Sequence, residues 1–271
     1  CDRRQRQMCI RDSREARSWY DHGREELHPW GHRVILEDYD IDAEWTTTER
    51  CCLFRFVYPE KERANLLFRI KGEGELKIED NRIIKGWEKV EYARQYFYIE
   101  LDKPFEQAGI WEGDRTGDTP EIKGSNIGGW LSADRVTEVE ARVGISFISV
   151  EQAQQNLEKE TGNKTFAAIR EDSRQIWEKA LGRIRVEGGT EREKRIFYTS
   201  LYRTYERMVN FSEDGKYYSG FDRQIHADNG RPFYNDDWIW DTYRNLHALG
   251  MILEPDRKAD MLQSYVEMYK Q

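Results

Sequence analysis

The sequence predicts a two-domain α+β chain, an antiparallel β-sandwich followed by helices. Apolar residues alternate with a period of two through most of the first 150 residues, the signature of half-buried strands. Beyond residue 149 the period lengthens to that of helices. Strands precede helices with little mixing, which separates α+β from α/β. The length of 271 residues suits two domains at roughly 150 residues each.

Residues 1–15 stand apart. The stretch 1–13 carries four arginines and no periodicity, and is expected to be a disordered basic tail or adapter-derived sequence. Gln271 falls inside a helical pattern with no stop signal, so both ends read as cut.

Residues 16–149 are expected to form the sandwich. Cys52, Phe54, Phe56 and Tyr58 share one face of a strand. Leu66, Phe68 and Ile70 alternate in a second run, and Leu76 and Ile78 in a third, which ends at the turn signal Glu79-Asp80-Asn81. Ile83-Ile84 and residues 96–101 continue the series. The clearest strand carries Val139, Ala141, Val143, Ile145 and Phe147, with Glu138, Glu140 and Arg142 opposite.

Residues 150–189 are expected to be linker helices. Ser149 with Gln152 is a capping-box pattern opening a helix through Ala153 and Leu157. A second helix carries Phe166, Ile169, Ser173, Ile176, Trp177, Ala180 and Leu181. Thr190 and Glu193 make another capping box, opening a long helix expected to reach Met208. Asp214-Gly215 and Asn229-Gly230 mark tight turns around a strand-like run at 216–221. One helix is expected from about Asp241 to Leu253, and another from Pro255.

Composition bounds the chemistry. The net charge of −8 argues against a nucleic-acid surface, and no apolar run approaches the roughly 20 residues that span a bilayer. The 9 Trp, 15 Tyr and 11 Phe, together with abundant carboxylates, suit sugars better than phosphates. Several motifs fail. Asp38, Asp40, Asp42 and Glu49 match part of a calcium loop, but Ala43 occupies the glycine position and the flanks read as strand. His28 and His32 are separated by Pro29 and Gly31, which spoil a helical metal pair. Gly72-Glu73-Gly74 lacks the third glycine of a dinucleotide site.

The densest constellation runs from Phe233 to Arg244, where three aspartates, two tryptophans and an arginine meet at a loop-to-helix junction. Carboxylates accept hydrogen bonds from vicinal hydroxyls, and tryptophan faces cover the CH side of a sugar ring. The candidate binding residues are Trp240, Asp241, Asp237, Asp236, Trp238 and Arg244. The alternatives are that Asp241 caps a helix and that Trp238 and Trp240 are core residues.

On these residues the chain resembles glycoside hydrolase family 92, the exo-acting α-mannosidases. The matching stretches are 144–160 (GISFISVEQAQQNLEKE), 186–203 (VEGGTEREKRIFYTSLYR) and 234–247 (YNDDWIWDTYRNLH). His22, Glu25 and Pro29 keep the spacing of a segment in the family's first domain, and residues 36–48 (LEDYDIDAEWTTT) follow it. The resemblance implies an N-terminal β-sandwich and an (α/α)6 barrel, of which residues 190–271 supply the start. It implies inverting, calcium-assisted removal of terminal α-mannose from glycans by a secreted or periplasmic enzyme. Trp240 and Asp241, in the W-D-T segment, become the best candidates for mannose contact, while Arg244 serves either the sugar or Asp237. No catalytic residue is assigned in this chain. The family's general acid and base lie in motifs past residue 271, so the isolated polypeptide is expected to be inactive. The competing classes are a non-catalytic carbohydrate-binding sandwich and another two-domain sugar enzyme, such as a disaccharide phosphorylase.

Overall fold

The computed structural model describes residues 18–60, 62–91, 93–113, 115–117 and 119–271. The expected tail at 1–15 lies outside the described residues.

Eleven strands form one antiparallel sheet: β1 (Glu26–His28), β2 (Gly31–Leu36), β3 (Ile41–Thr47), β4 (Cys51–Val57), β5 (Ala64–Glu79), β6 (Ile83–Val90), β7 (Ala93–Leu101), β8 (Gln107–Glu112), β9 (Arg115–Gly117), β10 (Glu121–Ala133) and β11 (Glu138–Ser146). Their order is β1-β2-β3-β4-β11-β7-β6-β5-β10-β8-β9. In a flat sheet β11 and β8, five positions apart, would be separated by about 24 Å. Yet Val139 of β11 and Ile110 of β8 belong to one buried apolar cluster with Ile70, Leu76, Ile84, Leu101 and Leu131. The sheet therefore folds over on itself, and two layers of one sheet enclose the core.

The long partners β5 and β10 carry the fold from layer to layer. Their register shifts between Ser125 and Ile127, and Asn126 has a left-handed φ of 55°. Such a bulge sharpens the local twist. The two apolar runs separated by Gly72-Glu73-Gly74 are one strand of 16 residues. The glycines do not interrupt it, because Gly74 pairs with Glu88 on one side and Gly124 on the other. The turn into β6 behaves as its residues predict: Asp80 and Asn81 both have φ 51°, and Arg82 N donates to Glu79 O at 3.0 Å.

Helices α1 (Val150–Thr161) and α2 (Phe166–Leu181) cover the outer face of the sheet. Ala153 and Leu157 pack on Cys51 and Tyr98, while Phe166 and Ile169 pack on Leu53. β4 is thus buried on both sides, since Phe54 and Phe56 face the inner core. Gly144 permits the close approach of α1, because a Cβ there would lie 2.3 Å from Ala153 O. Ser149 caps α1 by accepting from Gln152 N at 3.1 Å, but the reciprocal half of the box is absent. The Gln152 amide instead donates to Asn156 and Asp214.

Helix α3 (Glu191–Arg203) carries the full Thr190–Glu193 capping box but ends five residues short of Met208. Met208 is instead buried with Tyr234 and Met261. Strands β12 (Val209–Asn210) and β16 (Tyr234–Asn235) pair, and β13 (Ser212–Glu213), β14 (Lys216–Tyr218) and β15 (Ile225–Ala227) form a small meander. The strand expected at 216–221 stops at Tyr218, where Ser219 N turns to Gln224 O.

The single helix expected over 241–253 is instead two: a one-turn α4 (Ile239–Thr242) and α5 (Leu246–Leu253). The physical reason lies in what the two pieces must reach. Thr242 Oγ1 donates to Trp238 O at 3.2 Å, and His247 Nε2 donates to the adjacent Asp237 at 2.9 Å. On one straight helix, five residues at about 100° each would point them about 140° apart. Breaking the helix brings both back to the segment at 237–238. Helix α6 (Pro255–Lys270) begins at Pro255 as its sequence predicts.

Candidate functional site

The candidate residues project from a segment fixed at its start. Phe233 is buried and stacks on Tyr217 with ring centroids 3.9 Å apart, and Tyr234 N donates to Ser264 Oγ of α6 at 2.9 Å. The chain then leaves the core at Asp236, whose φ is 67°.

The three aspartates have different fates. Asp236 is ion-paired with Arg207 and accepts from Trp238 Nε1 at 3.2 Å. The Arg207 guanidinium also lies 4.5 Å from the Trp238 ring centroid, so one cation holds both side chains. Asp237 is buried, with a side chain only 5% exposed. Its Oδ2 accepts from His247 Nε2 at 2.9 Å and from the Tyr265 hydroxyl. Its Oδ1 is buried with no partner among the described residues. Burial pushes the Asp237 carboxyl up, but the neighbouring Tyr265 and Thr242 hydroxyls and His247 outweigh it and hold the group below its ordinary value. Asp241 is exposed, and its carboxylate makes no hydrogen bond or ion pair among the described residues.

Of the two alternatives, neither describes these side chains. The cap position of α4 belongs to Trp238, with no side-chain cap bond, so Asp241 does not cap a helix. Trp238 is 57% exposed and Trp240 87%, which removes both from the core. Arg244 does not hold Asp237: its Nε donates to the Tyr243 hydroxyl at 2.8 Å. Asp237 is held by His247 and Tyr265 instead.

Residues outside the sequence constellation complete the region. Lys258 of α6 is buried, and its Nζ lies 3.2 Å from His247 Nδ1. Burial, and then Arg257, push the Lys258 ammonium below its ordinary value. Arg207, His247, Lys258 and Tyr265 carry no recognisable spacing in the sequence; of these only His247 falls within a quoted motif. Proximity in the fold is what identifies them.

The rejected motifs are structural. Asp42 forms a two-pronged pair with Arg33 across β2 and β3, and Asp38 accepts from Trp19 N at 2.8 Å. Glu25 accepts from His22 Nδ1 at 2.6 Å and His32 Nε2 at 2.7 Å. Among the described residues no three acidic, histidine or cysteine side chains converge as a metal site. A cavity of about 900 Å³ separates the sheet, α1 and α2 from the later elements, lined in part by Arg50, Glu160, Trp177 and Arg257. None of the six candidate residues lines it; Trp238, Trp240, Asp241 and Arg244 lie on exposed surface instead.

Residues 1–146 match the model of the glycosyl hydrolase family 92 N-terminal domain, and residues 152–271 match that of the family's catalytic domain. The chain is 27% identical over 222 residues to a protein of Arthroderma benhamiae described as an uncharacterized secreted glycosidase, covering 64% of this chain and 27% of that protein. It superposes on a family 92 inverting mannosidase of Bacteroides thetaiotaomicron with a TM-score of 0.86 and 28% identity, over 93% of this chain and 36% of that one. A second α-mannosidase of that organism, solved with mannoimidazole, gives a TM-score of 0.84 and 27% identity, over 94% and 36%. The chain thus spans between 27% and 36% of the length of these relatives. No helix among the described residues is long and apolar enough to cross a membrane.

Proposed function

Because the chain belongs to glycosyl hydrolase family 92, we propose that it is part of an exo-acting, inverting α-mannosidase that removes terminal mannose from glycans outside the cytoplasm, as a secreted or periplasmic enzyme. One observation carries the reading: Trp240 and Asp241 are adjacent and exposed, and their side chains have no bonding partner among the described residues, while the neighbouring Asp236 and Asp237 are consumed by internal bonds. The Asp241 carboxylate accepts hydrogen bonds from two vicinal mannose hydroxyls. Trp240 covers the CH face of the ring. Trp238, clamped by Arg207, forms a second wall, and Arg244 supplies a donor at the rim. Asp236 and Asp237 act from beneath.

Inversion needs a general acid and a general base about 6.5–9.5 Å apart across the bond. We assign neither to residues 18–271; both belong to other parts of the enzyme. Calcium belongs to the same reading, supplying charge that binds and distorts the ring. The residues described here do not by themselves fit such an ion, since no cluster of three ligands exists among them, and no step is derived through it.

The test is hydrolysis of an α-mannoside by the complete enzyme, with the anomer of the released sugar read by NMR. Asp241→Asn should lower kcat/KM by about 10²–10³, the effect of losing a charged bond made in the transition state. The 271-residue polypeptide alone should release no mannose. An Asp241→Asn enzyme as active as the wild type would overturn the assignment of the site.

A further inference from the structure

Asp237 accepts from His247 Nε2 of α5 at 2.9 Å and from the Tyr265 hydroxyl of α6. The next residue, Trp238, is the cap of α4, and its carbonyl accepts from Asp241 N at 2.8 Å and from Thr242 Oγ1 at 3.2 Å. The exposed pair Trp240 and Asp241 sits on that same single turn with Thr242, which is 1% exposed. Whatever fixes Asp237 therefore fixes the start of the turn that presents the pair.

A second link lies behind it. Lys258 and Tyr265 are seven residues apart on α6, two turns, and so share one face. The Lys258 stem runs over Gly250 of α5, where a Cβ would lie 2.1 Å from Lys258 Cε. The stem can lie there because position 250 is glycine. Its ammonium is buried, forms no ion pair within 4.0 Å among the described residues, and meets His247 Nδ1 at 3.2 Å. An ammonium only donates, so Nδ1 must accept. That leaves the imidazole proton on Nε2, where it points to Asp237. Cation, neutral ring and carboxylate form one polarised chain, with each partner fixing the next.

We propose that Asp237, His247 and Lys258 form a positioning relay that sets the pose of Trp240 and Asp241 for the sugar. None of the three touches substrate. The inference rests on Trp240 and Asp241 being the sugar contacts, but its structural core does not depend on mannosidase activity.

Lys258→Met tests it in the complete protein, because it removes the ammonium and keeps the stem. Three readouts are taken. In wild type, 15N-histidine spectra should show His247 as the single Nε2–H tautomer, assigned by His247→Gln; in Lys258→Met the two tautomers should mix. With 5-fluorotryptophan incorporated, the Trp240 resonance, assigned by Trp240→Phe, should shift or broaden in Lys258→Met. The kcat/KM for an α-mannoside should fall 10- to 100-fold, the usual effect of removing a supporting partner. Met261→Ala, a cavity in the neighbouring apolar cluster, controls for stability and should leave the His247 tautomer unchanged. An Nδ1–H tautomer in wild type, or an unmoved Trp240 resonance in Lys258→Met, overturns the relay. A wild-type protein with the stated tautomer and Trp240 response but no action on mannosides upholds the relay and overturns the mannosidase reading instead.

Discussion

Deleting the carboxylate of Glu213 should loosen the second half of the chain from the sheet. Glu213 is 3% exposed and belongs to β13, yet one of its oxygens bonds to the segment that joins β11 to α1 and the other to α1 itself. Oε1 accepts from Phe147 N at 2.9 Å, and Oε2 accepts from Asn156 Nδ2 at 2.8 Å. Around this pair, Lys159 and Gln152 hold Asp214, and Arg50 donates to Ser212 O. Glu213→Ala removes two bonds to a charged acceptor, each worth about 1.5–3 kcal/mol. It also relieves the desolvation of the charge, which offsets part of that sum. Asn156 keeps a bond to Ile145 O at 2.9 Å, but Phe147 N–H is left buried without its acceptor. The net loss is about 2–4 kcal/mol. At about 2–4 °C per kcal/mol for a chain of this size, Tm should fall by roughly 5–15 °C in a thermal scan. Glu213→Gln keeps the shape and one acceptor, and should lose about half as much. A Glu213→Ala protein melting within about 2 °C of wild type would refute the claim that this carboxylate locks the two halves together.

Other perturbations follow from the same structure. Gly144→Val should cost at least about 1–3 kcal/mol by overpacking, read as a lower urea midpoint, because its Cβ would meet Ala153 O and Leu157. Acid should destabilise the fold through Glu25 and Asp237. Both are pushed up by burial, but the bonds from His22 and His32, and from Tyr265 and His247, leave them below their ordinary values. The unfolded chain therefore binds their protons first, so this stability is complete above about pH 5 and drains away as pH falls through the lowered folded values. Asp237→Asn should flatten the Tm profile between about pH 5 and 2. Cys51 and Cys52 should resist an aromatic disulfide reagent at pH 8 until the protein unfolds, since burial pushes both thiols up, Cys52 to about 12.

The strands were legible because one face of a sheet writes its burial into every second residue. Val139 and Ala141 show it directly, at 0% and 4% exposure. The pattern fails where a strand is buried twice. In β4, Cys51 and Leu53 lie under helices while Phe54 and Phe56 face the inner core, so Arg55 alone marks an outside. Strand length was equally hidden. Gly72 and Gly74 look like punctuation, and only the neighbouring strands on each side show that β5 runs through them. Helix starts were readable from capping residues at Ser149 and Thr190, because a cap is a local bond. The ends were not, since α3 stops where tertiary packing claims Met208.

The site divides in the same way. Residue type alone drew attention to Asp236, Asp237 and Asp241 as equals. Their difference comes from partners 10 to 29 positions away in sequence: His247 and Tyr265 for Asp237, and Arg207 for Asp236. A carboxylate with internal donors is already satisfied, and pulling it toward a sugar would strand those donors at about 1–3 kcal/mol each. Asp241 has no such donors among the described residues to abandon, so a hydroxyl that bonds it competes only with water. The same reasoning accounts for Trp240. A tryptophan 87% exposed beside a free carboxylate gains from any apolar ring face laid on it, whereas Trp238 is already stacked against Arg207. Among the described residues, Asp241 and Trp240 thus have no internal partner to give up, whereas Asp236 and Asp237 are bonded to Arg207, His247 and Tyr265.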